Sequence, residues 1–263
     1  MTAKELLDSA TSLAQKTGSD ATSWEARILL AHVLAHSNPL AIDPRVEIDP
    51  RFVSRFGELW ARRLIGVPVQ HLVGEWDFYG RPFSVDSRAL VPRPETETVI
   101  ETARREAAAA RRLLDLGTGS GILAVTLALE LPASRIVASD LSLEALALAR
   151  VNALRHGVED RVRIVAADWL SAFAEASRLS ATVRDHEPST ALYSGEDGLS
   201  AIRHLLDAVP HYLAPGAVFL FELGYGQARA VEVEILCRRQ WRLGGIACDL
   251  SGVPRVAVAR RAA

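Results

Sequence analysis

The stretch Asp115-Leu116-Gly117-Thr118-Gly119-Ser120-Gly121 decides the fold that we predict for this chain of 263 residues. It joins a short apolar run at residues 113–116 to an apolar stretch at 121–131, which is typical of a strand, a glycine turn and a helix. Glycine lets the backbone approach a ligand closely, and the start of a helix offers free N–H groups. Residues 117–121 are therefore predicted to bind a ligand.

The spacing of these glycines excludes two common phosphate-binding turns. A dinucleotide fingerprint needs glycine where Ile122 stands, and no Gly-Lys-Ser/Thr follows as in a P-loop. Acidic residues end the next two predicted strands: Asp140 ends the second, and Asp168, followed by Trp169, ends the third. An acid at such a strand end can accept hydrogen bonds from ribose hydroxyls, and an acid beside a flat ring suits an adenine. The pattern predicts a ligand that carries a nucleoside.

Strands and helices alternate throughout this part of the chain. Helices are predicted at residues 94–110, 121–131, 142–156, 199–213 and 228–239, and strands at 113–116, 135–139, 162–166, 217–222, 241–248 and 253–259. Such alternation predicts an α/β fold with a doubly wound, mostly parallel sheet. Ligands of these sheets bind outside the carboxyl ends of the strands, the edge at which Glu222 is also expected.

The chain divides into a predicted helical domain, a hairpin linker and the α/β domain, at residues 1–75, 76–93 and 94–263. Capping-box patterns that begin at Thr2 and Thr22, and an Asp-Pro pair at Asp49, predict three helix starts in the first domain. A Gly-Arg-Pro signal at residues 80–82, between two aromatic-rich runs, predicts the turn of the hairpin.

Composition narrows the class of protein. The chain is 49% hydrophobic and 24% charged with a net charge of −2, which is typical of a globular protein without a tail for binding nucleic acid. No apolar stretch of 18 residues and no signal peptide is found, so we expect no membrane segment and a cytoplasmic location. Cys237 and Cys248 fit no zinc spacing and are expected to be buried thiols, so no metal is predicted.

Several segments together resemble the PrmC/HemK family of class I S-adenosylmethionine-dependent methyltransferases. They are residues 90–97 (LVPRPETE), 115–121 (DLGTGSG), 168–169 (DW), 183–199 (VRDHEPSTALYSGEDGL) and 249–252 (DLSG) with Arg255. Members of the family methylate the side-chain amide of the glutamine in the GGQ loop of class I peptide chain release factors. The resemblance also implies a Rossmann-like sheet preceded by a small helical domain for substrate recognition.

The resemblance assigns roles to individual residues. The methionine and ribose end of S-adenosylmethionine would lie against Gly117, Thr118, Gly119, Ser120 and Gly121. Asp140 would bind the ribose hydroxyls, and Asp168 and Trp169 would contact the adenine. The candidates for the substrate pocket are Arg93, Pro94, Glu95, Glu97 and Glu222. The partner would be a release factor, with no direct contact to nucleic acid, and we expect a monomer.

One motif of the family is missing. Its members carry Asn-Pro-Pro-Tyr at the end of the fourth strand, where the asparagine side chain and a proline carbonyl hold the substrate amide. This sequence has no Asn-Pro-Pro, and its only Asn-Pro is Asn38-Pro39. Only residues 179–182 occupy the expected place, so the catalytic residues are unknown and the fourth strand is predicted to be missing too. Either residues 179–183 replace that strand poorly, or the sheet is split.

Three hypotheses about function remain open. The first is an active glutamine methyltransferase whose complete chain carries the segment that this sequence lacks. The second is a shortened, catalytically impaired homologue that binds S-adenosylmethionine or a protein partner. The third is a methyltransferase with another substrate, such as an amine of a nucleic acid. The near-neutral charge and the missing motif, which enzymes for such amines also use in a related form, argue against the third.

Overall fold

The structure is a computed structural model that describes residues 1–170 and 198–263. Its contacts divide the chain into two compact units. The helical unit comprises Met1–Trp76 with Val85–Ser87, and the α/β unit comprises Asp77–Ser84 with Arg88–Ala263.

The helical unit contains four helices, α1 (Ala3–Thr17), α2 (Ser23–Val33), α3 (Pro50–Leu64) and α4 (Val69–Val73). Both predicted capping boxes are confirmed, because Thr2 and Thr22 each exchange hydrogen bonds with the glutamate three residues later. The N-cap at Asp49 is confirmed too, with Pro50 as the first residue of α3. These local signals therefore fix where three of the helices begin.

The core of the helical unit joins helices distant in sequence. Trp60 is buried, and its indole N–H donates to the carbonyl oxygen of Ala10 at 3.1 Å. The guanidinium of Arg63, also buried, pairs with Glu25 at 2.8 Å and with the exposed Asp20 at 3.0 Å. The buried arginine is thus neutralised by two carboxylates, as a charge in a core requires.

The α/β unit follows the predicted order of elements. After the hairpin of β1 (Glu75–Phe78) and β2 (Arg81–Ser84), it contains α5 (Glu97–Glu106), β3 (Arg112–Leu116), α6 (Ile122–Glu130), β4 (Arg135–Asp140), α7 (Leu143–Arg155), β5 (Val162–Ala166), α8 (Ser200–Ala208), β6 (Val218–Glu222), α9 (Ala228–Leu236), β7 (Trp241–Cys248) and β8 (Pro254–Arg261). The α/β class and the N-terminal helical region are confirmed.

Strands β3 to β8 of the α/β unit form two sheets of three strands each. Strands β3, β4 and β5 are all parallel, in the order β3-β4-β5, whereas β6, β8 and β7 are antiparallel, in the order β6-β8-β7. Alternation alone did not predict the antiparallel sheet. Among the residues that the structure describes, β3 and β6 do not pair, and Leu114 of β3 is 38% exposed. Both alternatives for the missing strand, residues 179–183 in its place or a split sheet, depend on residues outside the described ranges and stay predictions.

The predicted hairpin turn, residues 80–82, begins one residue late and ends two residues late. Tyr79 and Gly80 form the turn, with φ of 52° and 70°, while Arg81 and Pro82 already belong to β2. Two positive φ angles match the twist of a two-residue hairpin. Gly80, at the second position of the turn, is typical of such a turn, whereas Tyr79, at the first position, is not. Pro82 is tolerated because a two-stranded sheet consists of edge strands.

Three smaller predictions were also wrong. Helix α5 ends at Glu106 rather than at residue 110, and α8 ends at Ala208 rather than at 213. Helix α8 ends early because Pro210, which lies in the 3-10 turn that follows it, has no N–H to continue the α-helix. Cys237 and Cys248 are exposed and unpaired, since one follows the end of α9 and the other ends β7. No described helix has both the length and the apolar character that a membrane crossing requires.

Candidate functional site

The glycine turn between β3 and α6 is left-handed at all three glycines. The backbone φ angles are 71° at Gly117, 54° at Gly119 and 77° at Gly121, values that residues other than glycine rarely adopt. A Cβ on Gly121 would lie 2.8 Å from the Cβ of Ala149, so this glycine lets α6 and α7 pack closely. A Cβ on Gly117 would meet no atom within 4 Å. The turn is therefore closed at Gly121 and open at Gly117.

Asp140 is brought to this turn, as the sequence predicts. One of its oxygens, Oδ2, accepts a hydrogen bond from the backbone N–H of Gly119 at 2.8 Å, and Oδ1 accepts one from Ser142 N–H at 3.0 Å. Ser142 caps the start of α7, so the carboxylate joins the turn to that helix. The end of β4 thus presents an acceptor beside the glycines.

Asp115 lies beneath the turn and carries a perturbed acid group. Protein atoms surround its carboxyl group although part of the residue is accessible, and this burial raises the pKa of Asp115 to about 6. The hydroxyl of Thr118 donates to Asp115 Oδ2 at 2.6 Å and opposes that rise, as does the backbone N–H of Ala124. The negative charge of Asp140 adds to it. The acid therefore titrates close to neutral pH.

Asn152 of α7 is a residue of this site that sequence reasoning missed. Its side chain is fully buried, and its Nδ2 donates to the carbonyl oxygen of Ser120 at 2.8 Å and to that of Ser84 at 3.0 Å. Its Oδ1 accepts from the backbone N–H of Ser84 at 2.8 Å. One amide thus fixes the glycine turn to β2. No local pattern reveals this role, since Ser84 lies 68 residues away.

The segment at residues 93–97 is held by two glutamates, and Ala89, four residues before it, lies beside the glycine turn. Pro94–Thr96 forms a 3-10 turn, and a Cβ on Gly119 would lie 3.8 Å from that of Ala89, just before the segment. Glu95 pairs with Arg255 at 3.1 Å, while Glu97 accepts from the backbone N–H of Tyr79 at 2.8 Å.

The predicted pocket residues differ in what they can offer a substrate. Arg93 and Pro94 are exposed, as is Glu222, the last residue of β6. Glu97 contacts the hairpin, so its carboxylate stabilises the strained backbone of Tyr79. Glu95 is half-buried and ion-paired. The first three are accessible to solvent, whereas the two glutamates of the segment have partners within the protein.

Asp168 and Trp169 follow β5, as predicted, at the same edge as Asp140. Trp169 has φ of 44°, a strained conformation for a bulky residue that is most often found at functional positions. Its ring is half-buried and meets the ring of His204 edge to face, with centroids 5.9 Å apart. The tryptophan is therefore oriented by α8, an arrangement that the sequence did not predict.

The predicted place of the missing motif lies outside the described ranges, as do residues 183–197 of the family-like segment. Within residues 1–170 and 198–263, no group of three or more histidine, cysteine, aspartate or glutamate side chains could hold a metal ion. The described site thus consists of the glycine turn, the acids at strand ends and the segment at 93–97.

This fold and this turn define a methyltransferase of Rossmann-like architecture. Residues 5–74 match the family model of the PrmC N-terminal domain, and residues 94–181 match that of the methyltransferase small domain. The chain is 36% identical to the release factor glutamine methyltransferase of Koribacter versatilis, over 99% of each chain, and 37% identical to that of Cereibacter sphaeroides, also over 99% of each. The chain belongs to the family of release factor glutamine methyltransferases.

The comparisons also bear on the missing segment. The alignment with the Koribacter versatilis protein spans 282 positions, more than the 263 residues of this chain, so that relative has residues without a counterpart here. The match to the methyltransferase small domain ends at residue 181, within the short stretch where the motif was expected.

Solved structures agree on the fold alone. The methyltransferase domain of METTL16 superposes with a TM-score of 0.55 at 15% identity, covering 88% of this chain and 91% of that one. A methyltransferase from Pyrococcus furiosus superposes with a TM-score of 0.51 at 14% identity, covering 71% and 91%. At such low identity the resemblance supports the architecture and carries no information about the substrate.

Proposed function

We propose that the protein transfers a methyl group from S-adenosylmethionine to the side-chain amide nitrogen of the glutamine in the GGQ motif of class I peptide chain release factors. The observation that carries the proposal is the open, left-handed turn at Gly117 beside Asp140, in a chain whose relatives over its whole length are named release factor glutamine methyltransferases. The reaction would take place in the cytoplasm, on a release factor bound by a monomer.

The residues of the turn fit this cofactor. The space at Gly117 allows the backbone to approach a ligand, and Gly121, which precedes α6, has no side chain that would cover the start of the helix. Asp140 would exchange its bond to Gly119 for the ribose hydroxyls, and Asp168 and Trp169 would border the adenine. When bound, S-adenosylmethionine supplies an electrophilic methyl group on a sulfonium. Gly117, Thr118, Gly119, Ser120 and Gly121 would line its methionine and ribose end.

The segment at residues 93–97 would form one wall of the substrate pocket. Arg93 and Pro94 are exposed there, Glu95 is fixed by Arg255, and Glu222 stands at the end of β6. An amide nitrogen is a poor nucleophile because its lone pair is delocalised, so the main task of the protein is to orient it. Such orientation and fixed dipoles provide most of the acceleration in reactions of this type.

A second function, binding of S-adenosylmethionine without efficient transfer, is favoured by the same sequence. The chain lacks Asn-Pro-Pro, whose asparagine and proline would hold the amide, and its alignment with a full-length relative is longer than the chain itself. Without those acceptors, we expect methyl transfer to be slower by orders of magnitude.

The two functions can be distinguished with one preparation. The intact mass of the purified protein first establishes that all 263 residues, and no others, are present. Calorimetry then measures binding of S-adenosylmethionine, and mass spectrometry of the GGQ peptide measures methylation of a release factor. Binding with methylation supports the main proposal, and binding alone supports the second function. Failure to bind S-adenosylmethionine would exclude both.

A further inference from the structure

We propose that Arg255 is a positioning residue for the substrate pocket, which holds Glu95 in place and thereby fixes the segment at residues 93–97. The proposal rests on the proposed function, since it assigns this segment to the substrate rather than to the cofactor. It goes beyond that function, because Arg255 belongs neither to the glycine turn nor to the residues expected to touch S-adenosylmethionine.

Arg255 links two parts of the α/β unit that are far apart in sequence. Arg255 is the second residue of β8, and its Nε donates to Asp249 Oδ2 at 2.9 Å while its Nη2 donates to Glu95 Oε1 at 3.1 Å. The three side chains are 23%, 14% and 38% exposed, respectively. Ion pairs that are shielded to this degree are screened less by solvent than those on an open surface.

Hydrogen bonds hold both Asp249 and the backbone of Arg255 in place. Asp249 Oδ1 accepts hydrogen bonds from the backbone N–H groups of Ser251 at 2.9 Å and of Val253 at 3.0 Å, which closes the turn between β7 and β8. The carbonyl oxygen of Arg255 accepts from Leu223 N–H at 2.8 Å. Arg255 is thus fixed at its backbone carbonyl and at its Nε, which leaves Nη2 to hold Glu95.

Three carboxylates lie around Arg255, and its positive charge offsets their mutual repulsion. Glu222 lies opposite Val256 in the pairing of β6 with β8, next to Arg255, and its charge stabilises the guanidinium. Glu95, Asp249 and Glu222 therefore all interact with the guanidinium of Arg255. Its hydrogen bonds hold the pKa of Asp249 below its usual value. Without Arg255, the three carboxylates would repel one another, and the exposed end, Glu95, would move.

Glu95 has little else to hold it. The 3-10 turn of Pro94–Thr96 has no side-chain cap from Arg93. In the part of the chain that the structure describes, Oε1 of Glu95 bonds only to Arg255, and Oε2 has no hydrogen bond. Oε2 is therefore an acceptor for an N–H group of a peptide substrate, aimed by the bond that Oε1 makes to Arg255.

Arg260 provides a matched control on the same strand. It lies near the other end of β8 and pairs with Glu106, at the other end of α5 from Glu95. Arg260→Met therefore removes an ion pair between the same strand and the same helical region, and leaves residues 93–97 untouched. A general loss of stability would affect both variants alike.

The first experiment measures hydrogen exchange of a peptide that covers residues 91–99, in the full chain and at conditions where all variants are folded. In Arg255→Met we expect exchange at residues 95–97 to accelerate by about tenfold, because the local opening of the turn becomes easier. Arg260→Met should leave it unchanged. If both variants or neither accelerate exchange there, Arg255 does not position the segment. This readout needs no activity, so it remains decisive even if the proposed methyl transfer fails.

The second experiment separates substrate from cofactor. In Arg255→Met we expect the KM for the release factor to rise by about tenfold while the Kd for S-adenosylmethionine changes by less than about twofold. Glu95→Gln keeps the hydrogen bond to Arg255 but puts an NH2 group in the place of Oε2, the proposed acceptor, so it should raise the KM as well. Arg255→Met should have little further effect in that background, since the acceptor that Arg255 positions is already gone. An equal loss of cofactor affinity, or an unchanged KM in an active enzyme, would overturn the proposal.

Discussion

The buried side-chain amide of Asn152 donates to the carbonyl oxygen of Ser120 at 2.8 Å, and so connects the last turn of α7 to the turn where we place the cofactor. The same amide exchanges two hydrogen bonds with the backbone of Ser84 in β2. Because every polar atom of this side chain is paired, the turn and the hairpin are held by one residue. The shape of the site therefore depends on a residue that need not touch a ligand.

Replacing this amide should destabilise the α/β unit. Asn152→Ala would leave three buried backbone groups without their partner and create a small cavity, so we expect a loss of about 3 kcal/mol in the free energy of unfolding. Urea unfolding measures it. Leu154→Ala, on an exposed position of the same helix, should change stability by less than about 0.5 kcal/mol. Similar losses in both variants would contradict the role given to Asn152.

Gly121 is expected to be the least replaceable glycine of the turn. Gly121→Ala would suffer both a positive φ and a clash, since the new Cβ would lie 2.8 Å from that of Ala149. Gly157→Ala, also at positive φ but with no atom within 4 Å, suffers the backbone strain alone. We expect a cost of about 1 kcal/mol for Gly157→Ala and at least about 2 kcal/mol more for Gly121→Ala. Equal thermal shifts would show that α6 and α7 can separate freely.

Gly117 should matter for binding rather than for folding. Gly117→Ala adds a methyl group in open space, so its stability should resemble that of Gly157→Ala. If the cofactor approaches the backbone here, the methyl group blocks it, and the Kd for S-adenosylmethionine should rise by at least about tenfold. Calorimetry measures the Kd. An unchanged value would move the cofactor away from this turn.

The raised pKa of Asp115 should make stability depend on pH. In the folded protein the pKa of this acid is about 6, above the ordinary 3.8, so the folded state holds the proton more tightly than the unfolded state. Its contribution to stability is therefore complete below pH 4 and is lost as pH rises toward 6, by at most about 3 kcal/mol. Urea unfolding at pH 5, 6 and 7 should show a steeper decline for the wild type than for Asp115→Asn. Parallel declines would refute the assignment.

Restoring the missing segment should change stability and activity separately. A chain that receives, between residues 178 and 183, a segment with the Asn-Pro-Pro-Tyr motif of the family should unfold at higher urea, because β3 and β6 could then pair with a strand between them. Methylation of a release factor should rise by about a hundredfold or more. A control insertion with alanine in place of the motif's asparagine should regain stability without the activity. No gain in stability from either insertion would contradict the split sheet.

The parts of the fold that could be predicted from sequence are those set by neighbouring residues. The capping boxes at Thr2 and Thr22 and the strand Val162–Ala166 depend on patterns a few residues long. The glycine turn and the position of Asp140 followed in the same way, although their roles in binding stay predictions.

The other features depend on contacts between distant residues. Asn152 meets Ser84 across 68 positions, and Arg255 meets Glu95 across 160, and no local pattern records either pair. The turn at Tyr79 was misplaced because its strained backbone is stabilised by Glu97, a residue 18 positions away. Tertiary contacts of this kind override local preference, and they hold the walls of the site.

The exposure of both cysteines makes the protein suitable for fluorescence measurements. Cys248 directly precedes Asp249, the anchor of Arg255, so a dye attached there would respond to movement of Arg255 and Glu95. Cys237, after the end of α9, offers a separate position for a reference dye or for the second member of an energy-transfer pair. In each single-cysteine variant, the arrival of a release factor could be followed in real time without any reaction taking place.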